Sequence, residues 1–312
     1  MKNTTAKIVS LNISKKKGTI KKPVSEVIIN TRGILDDAHA GNWHRQVTLL
    51  SIERIQEFSK EIGREVLPGE FAENITTEGF DLTEVSILDR FTIGNAELEV
   101  TQIGKKCHGD GCAIFREIGK CVMPHEGIFC RVLKGGFVKN EDPIEYHSKQ
   151  LKISIITVSD RASKGEYEDI SGPEIQKNLT EFFKEKPWKI EYVPSIVPDD
   201  TDLLKNEILK QCDHKADIIF TTGGTGISSR DITPEVVTSL IDKKLPGIMD
   251  YIRIKYGAKI PNALISRSIA GTIGKTLIYS LPGSVKAVNE YTEEILKTIE
   301  HSIFMIKDIN TH

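Results

Sequence analysis

The segment Ala216–Pro234, A-D-I-I-F-T-T-G-G-T-G-I-S-S-R-D-I-T-P, constrains this chain more than any other part of it. Ile218–Phe220 reads as a short buried strand. It runs into Thr221-Thr222-Gly223-Gly224-Thr225-Gly226, a turn of glycines and hydroxyls, and Asp231, Thr233 and Pro234 follow before a helical pattern. Glycines let backbone N–H groups line a concavity, because no Cβ obstructs the approach. At the C-terminal end of a strand, such a concavity is where an open α/β sheet binds phosphates. Asp231 adds a carboxylate suited to Mg²⁺ carried by a nucleotide. The competing reading is an ordinary glycine-rich strand–helix connection, and G-G-x-G alone does not separate the two.

A chain of 312 residues implies two cores. The segment Val138–Gln150 is polar, carries a proline and reads as a linker, which divides the chain into 1–146 and 151–312. Net charge of −2 argues against a nucleic-acid partner, so anions must be caught by local groups. No run has the apolar length of a membrane helix, and Met1–Lys7 lacks a signal-peptide pattern. With an odd count of five cysteines, the expectation is a cytoplasmic protein with reduced thiols.

The second half alternates strands and helices. Strands are expected at Ile153–Ser159, Ile190–Val197, Ile218–Phe220 and Leu277–Leu281. Helices are expected at Gly172–Glu185, Leu203–Cys212, after Pro234 with Thr233 as cap, and from Ser284 to about Lys307. This order predicts an α/β three-layer domain with a mostly parallel sheet. K-I-S-I-I-T-V-S-D-R-A-S-K-G after Leu151, Asp169-Ile170-Ser171-Gly172-Pro173, Pro261 to Arg267, and Leu281-Pro282-Gly283-Ser284 complete a set of separated motifs. Together with the glycine turn they resemble the molybdopterin adenylyltransferase family over about Leu151 to Lys307. The resemblance implies transfer of AMP from Mg²⁺-ATP to the terminal phosphate of molybdopterin, releasing pyrophosphate, and a homo-oligomer, commonly a trimer.

On that basis the candidate catalytic residues are Asp231, Asp199 and Ser266, with Asp231 holding Mg²⁺. Gly223, Gly224, Thr225, Gly226, Gly283 and Ser284 are candidates for phosphate or nucleotide. Ser159, Asp160, Arg161, Ser171, Gly172 and Arg267 are candidates for the pterin and its phosphate. Each has a plainer reading. Asp231 stands at a helix start, Asp160 and Arg161 pair with each other, Ser171 caps a helix, and Pro282-Gly283-Ser284 is a tight connection. Asp199 and Asp200 cannot be separated by spacing; the resemblance assigns function to Asp199 and leaves Asp200 as cap. No histidine forms a triad with Ser266, so it is not read as a nucleophile. The family's frequent glutamate and proline are replaced here by Asp250 and Val285.

The first half has short apolar runs separated by glycine-bearing turns, which predicts a β-rich, barrel-like domain with a helix at Ser51–Ile62. Gly33 to Gly41 (with Asp37 and His39), Arg45 to Leu50, Leu67-Pro68-Gly69-Glu70-Phe71-Ala72-Glu73-Asn74-Ile75, and Arg131 to Leu133 resemble the MOSC domain. That resemblance implies binding of the molybdenum cofactor and relay of sulfur through one cysteine, for which Cys107, after Gln102 and beside Lys105 and Lys106, is the candidate. A metal site from Cys107, Cys112, Cys121, His125 and Cys130 is a weaker reading, since the spacing matches no common module. Lys15–Lys22 reads as a solvated basic loop.

The functional expectation is therefore an adenylyltransferase fused to a cofactor-binding domain. The rivals are a non-catalytic carrier of molybdopterin or its metal form, and a sulfur-transfer protein acting through Cys107. Protein partners in either case would be a molybdenum-insertion protein or apo-molybdoenzymes.

Overall fold

The computed structural model describes residues 5–106, 115 and 120–309. The chain divides into two compact units that part between Gln150 and Leu151.

In the first unit, strands β1 (Thr5–Ile13), β5 (Val47–Ser51), β6 (Ile75–Glu78), β7 (Arg90–Ile93), β8 (Ala96–Ile103), β9 (Ile128–Lys134) and β11 (Pro143–His147) close a barrel in the order β11-β7-β8-β9-β5-β6-β1. Its pairings are antiparallel except β5 with β6. β2 (Lys22–Val24) adds to β1, and β10 (Gly136–Lys139), β3 (Glu26–Asn30) and β4 (Gly33–Ile34) form a small separate sheet. Two of these strands, β10 and β11, occupy most of the segment 138–150 that was expected to be a linker. Its polar residues are the outward half of an alternating strand, in which Val138 and Ile144 point inward and are buried. Helix α1 (Ile52–Ile62) starts on Ser51, whose hydroxyl accepts from Arg54 N at 3.2 Å, and ends on Gly63 at φ 69°. A four-residue helix, α2 (Met123–Glu126), precedes β9.

This unit buries charge as well as hydrocarbon. Lys21 and Asp37 are fully enclosed and paired at 2.5 Å. Asp37 also accepts from Ser14 N (3.0 Å) and His39 N (2.9 Å). Burial pushes Asp37 up, but the hydrogen bonds from His39 and the charge of Lys21 outweigh it and hold the carboxyl below its usual range. Burial likewise lowers the Lys21 amine. Gly69 stands at φ 89°, and a Cβ there would lie 2.4 Å from Lys21 O, so the Leu67–Ile75 motif requires glycine at that position. Gly69 N donates to buried Glu73 at 2.5 Å, while the second Glu73 oxygen has no partner among the described residues.

The second unit is a six-stranded sheet of β12 (Leu151–Val158), β13 (Ile190–Val197), β14 (Ile218–Thr222), β15 (Lys243–Lys244), β16 (Ala270–Ile273) and β17 (Thr276–Leu281), in the order β13-β12-β14-β17-β16-β15. The first three pairings are parallel and the last two antiparallel, so the sheet is mixed rather than mostly parallel. The reason lies in a two-residue link, Gly274-Lys275, with Gly274 at φ 55°. A link that short joins only antiparallel strands, since a parallel return needs a long crossover. Helices α3 (Asp160–Ser163), α4 (Ser171–Phe183), α5 (Thr201–Asp213), α6 (Thr233–Leu240), α7 (Pro246–Gly257) and α8 (Val285–Ile306) complete the unit. α5 and α6 share a core with Ile156, Ile219 and Ile278 on one sheet face. α4 and α8 pack together and against β12 and β17 on the other. No helix among the described residues is long and apolar enough to cross a membrane.

Burial raises Glu73 from 4.5 to about 7. A carboxyl raised on folding leaves stability intact below the unfolded value and removes it as pH rises through about 7. His44, buried and lowered to about 4, acts in the opposite sense: its contribution is present above its unfolded value near 6.5 and lost as pH falls through about 4. The Glu73→Gln substitution separates them. Wild type should lose on the order of 2 kcal/mol relative to Glu73→Gln between pH 5 and pH 8. Urea unfolding read by Trp43 fluorescence in a Trp188→Phe background, which leaves one tryptophan, measures the difference; parallel pH profiles would contradict it.

Candidate functional site: an amide-lined turn at the strand ends

The four parallel strands stop at Val158, Val197, Thr222 and Leu281. Their common direction delivers the turns after them to one edge of the sheet. Those turns carry Ser159 to Arg161, Asp199, Gly223 to Gly226, and Gly283 with Ser284.

Gly223 occupies φ 102°, and a Cβ on it would lie 2.4 Å from Val158 O. On its other side the Cβ position of Gly283 is 3.3 Å from Gly223 Cα, so the two turns touch through glycine. Gly223 N donates to Leu281 O at 3.0 Å. Beyond this point the backbone groups of the turn sort by type. Gly223 O accepts from the Thr233 hydroxyl (2.9 Å) and Gly224 O from Thr233 N (3.1 Å). Thr225 O accepts from Arg267 N (3.0 Å) and Gly226 O from Arg267 Nε (2.7 Å). Among the described residues, the N–H groups of Gly224, Thr225 and Gly226 donate to nothing. Consumed carbonyls with unpartnered amides are the hydrogen-bonding pattern that an anion-binding turn requires. Thr233, expected as a helix cap, is instead the first residue of α6, and its hydroxyl braces the turn.

Asp231 Oδ2 accepts from Ser228 N at 2.7 Å, and Oδ1 has no hydrogen bond among the described residues. With Thr201, Ser228, Glu235 and Arg267 it lines a cleft of about 520 Å³. A second cleft of about 230 Å³ brings together Ser159, Arg161, Ser171, Gly223 and Gly283, with Asp169 and Tyr167. Gly224, Thr225, Gly226, Ser266, Gly172, Ser284, Asp160 and Asp199 are not in either lining.

Several of these side chains are committed to each other. Asp160 and Asp199 each accept from the other's backbone: Asp160 N to Asp199 Oδ2 at 3.0 Å and Asp199 N to Asp160 Oδ1 at 3.1 Å. The expected Asp160–Arg161 pair does not form; the Arg161 guanidinium lies 5.1 Å from the centre of the Tyr167 ring. Asp200 caps α5 through Leu203 N at 2.9 Å. Asp169 caps α4, accepting from Ser171 N (3.0 Å), the Ser171 hydroxyl (3.0 Å) and Gly172 N (3.1 Å). The amides expected to receive a pterin phosphate there are therefore already spent on a carboxylate. Gly172 is required for closeness, since a Cβ would lie 2.5 Å from Asp169 Oδ2. The Ser266 hydroxyl joins those of Ser268 and Tyr291, each at 3.0 Å, with no carboxylate or imidazole in the chain of contacts. Ser284 caps α8, and Asp250 pairs with Arg253 at 2.5 Å.

Tyr167 and Glu235 were not singled out from sequence, and Thr233 was expected only as a cap. An aromatic ring inside the charged run Gly165–Asp169 was the available signal for the first; a partner distant in sequence left none for Glu235. Cys107, His108 and Cys112 lie outside the described residues. Of the remaining thiols, Cys130 is buried, which pushes its pKa up. Among the described residues no group of three or more metal-binding side chains assembles. A nucleotide-borne Mg²⁺ fits the donor set, because it needs one protein carboxylate and takes its other oxygens from phosphate and water.

Set beside known proteins, these two units define a class. The family profile for a probable molybdopterin binding domain matches residues 154–301, and that for the MOSC domain matches residues 36–145. The molybdopterin adenylyltransferase of Helicobacter pylori is 39% identical over 157 residues, covering 50% of this chain and 88% of that protein. The molybdenum cofactor synthesis protein cinnamon of Drosophila melanogaster is 34% identical over 161 residues, 51% of this chain and 26% of its own length. The crystal structure of the tungsten cofactor synthesizing protein MoaB from Pyrococcus furiosus aligns with TM-score 0.45 at 36% identity, over 52% of this chain and 98% of that one. The chain belongs to the molybdopterin adenylyltransferase family, with a MOSC domain preceding the family's domain in the same polypeptide.

A Gly223→Ala chain should bind nucleotide at least about tenfold more weakly, because the methyl group cannot coexist with Val158 O at that φ and the neighbouring amides must move. Titration with Mg²⁺-ATP checks this; an unchanged affinity would remove the turn from the site.

Proposed function

We propose that the C-terminal unit transfers AMP from ATP to the terminal phosphate of molybdopterin in molybdenum cofactor biosynthesis. The observation that carries the reading is the row of open amides at Gly224, Thr225 and Gly226, set against carbonyls that are all engaged. An oxygen of the pterin phosphate attacks the α-phosphorus of ATP. The bond from that phosphorus to the bridging oxygen breaks, and pyrophosphate leaves with the electron pair. A phosphate nucleophile is already ionised near neutral pH, so no general base is required. That agrees with a Ser266 hydroxyl bonded only to other hydroxyls.

The work left to the protein is alignment and charge stabilisation. Open amides meet the charge that grows on the departing phosphates, and being held by the fold they need no reorganisation as it develops. Asp231 would hold Mg²⁺, which would supply positive charge to offset that of the phosphates. Arg161, with Ser159 beside it in the smaller cleft, would receive the phosphate end of the pterin. The MOSC unit is proposed to bind or modify the cofactor that results, with Cys107 as its thiol. Having both sites on one chain raises the concentration of product at the second.

Purified chain incubated with molybdopterin, ATP and Mg²⁺ should yield adenylylated pterin and one pyrophosphate per product. Pyrophosphate released regardless of pterin, or none in its presence, would contradict the assignment. Asp231→Asn should lower kcat by about a hundredfold or more while changing ATP affinity less. Cys107→Ala should lose uptake of labelled sulfur if that thiol carries it; full retention excludes sulfur relay through this residue.

A further inference from the structure

We propose that Arg267 is a positioning residue: its guanidinium fixes the exit of the glycine turn, at Gly226, against Asp231, while its main-chain N secures the unit before it, and it does so without itself contacting phosphate. This rests on the adenylyltransferase reading above and assigns one residue's role within it.

The contacts of Arg267 all lie on the carbonyl side of the turn. Its main-chain N donates to Thr225 O (3.0 Å), Nε to Gly226 O (2.7 Å) and Nη2 to Asp231 O (2.7 Å). The remaining branch, Nη1, is ion-paired with Glu235. One planar fork thus bridges Gly226 and Asp231, the two ends of the excursion through Ile227 to Arg230. It ties the open amides to the residue proposed to hold Mg²⁺. Glu235 offsets the guanidinium charge, so the positive potential offered to an anion comes from the amides more than from this side chain.

A peptide unit can turn over by coordinated change of two dihedrals, which would exchange an N–H for a C=O on the phosphate side. The glycines make that exchange sterically cheap. Engaging the carbonyl of each unit on the opposite side opposes it. Thr233 does this for the units that carry the Gly224 and Thr225 amides and the Arg267 main-chain N for the unit that carries the Gly226 amide, while the Arg267 side chain holds the next unit, Gly226–Ile227, where the turn leaves for Asp231. Lysine cannot reproduce the arrangement, because a single ammonium lacks two donors spaced in a rigid plane. A glutamine reaches at most one of the carbonyls.

Calorimetric titration of the full chain with Mg²⁺-ATP, and separately with molybdopterin, tests the role. Arg267→Gln should raise the Kd for ATP about tenfold or more while leaving that for molybdopterin within about twofold. The loss in turnover should appear mainly in the KM for ATP. Arg267→Lys should fall between Gln and wild type. In Arg267→Ala, added guanidinium should restore ATP affinity and ammonium should not. Unchanged ATP affinity in Arg267→Gln would overturn the proposal, as would a molybdopterin affinity that falls as far as that for ATP, the mark of direct contact. Should Arg267→Gln not fold, judged by its thermal midpoint, the same titrations on Arg267→Lys decide by the same criteria. A wild-type chain that binds ATP but forms no adenylylated pterin would refute the enzymatic reading, and the binding titrations would still judge Arg267.

Discussion

The chemistry offered by the C-terminal unit depends on which way four consecutive peptide units face. Gly223 to Gly226 direct their carbonyls into hydrogen bonds with Thr233 and Arg267, and the amides of Gly224 to Gly226 have no partner among the described residues. Neither brace belongs to the turn. Thr233 comes from the start of α6, and Arg267 comes from the segment leading into the antiparallel strand β16. The mixed edge of the sheet is therefore part of the site's construction, since the β16–β17 hairpin is what returns Arg267 to the glycine turn. A preorganised row of dipoles of this kind is worth most where the reaction itself asks only for charge to be received.

The N-terminal unit solves a different problem. Its barrel interior includes Lys21, Asp37 and Glu73, groups that cost free energy to bury unless matched. Lys21 and Asp37 match each other; Glu73 is matched at one oxygen only. The residues most prominent in the sequence of this half are largely architectural. Gly69 admits the backbone of Lys21, Asp37 ties the loop of Ser14 to that of His39, and the Gln46 side chain donates to Thr31 O and Gly41 O at 2.9 Å each and accepts from Val132 N at 2.6 Å.

Much of the site was legible in the chain because its elements are local. A strand, a glycine turn, an acid and a helix in immediate succession mark the candidate turn, and Asp231 and Asp200 take the local positions that spacing allowed them. Legibility failed where a side chain's partner is remote or where one short link decides a direction. Ser171 reads as a pterin-phosphate contact, with capping as its plainer alternative, but Asp169 takes the capping role and occupies the helix start with its own carboxylate. Arg267 reads as an anion contact because guanidinium groups commonly bind phosphate; its bonds to carbonyls of residues 226 and 231 are invisible until the chain is folded. The polar stretch 138–150 looked like a linker because its alternation is short and edged by charge.

What the amino-acid order determined by itself was the presence of two domains' worth of pattern, the strand-and-helix alternation of the second, and the glycine turn after its third strand. These follow from periodicity and from glycine's freedom, both properties of neighbouring residues. The tertiary structure alone decided the pairing of β15 with β16, the closure of the barrel through β1 and β11, the pairing of buried Lys21 with Asp37, and the bracing of the Thr225 and Gly226 carbonyls by Arg267. Each of those is a hydrogen bond or ion pair between residues far apart in the chain. Such a bond exists only once the hydrophobic layers have brought its two ends within reach.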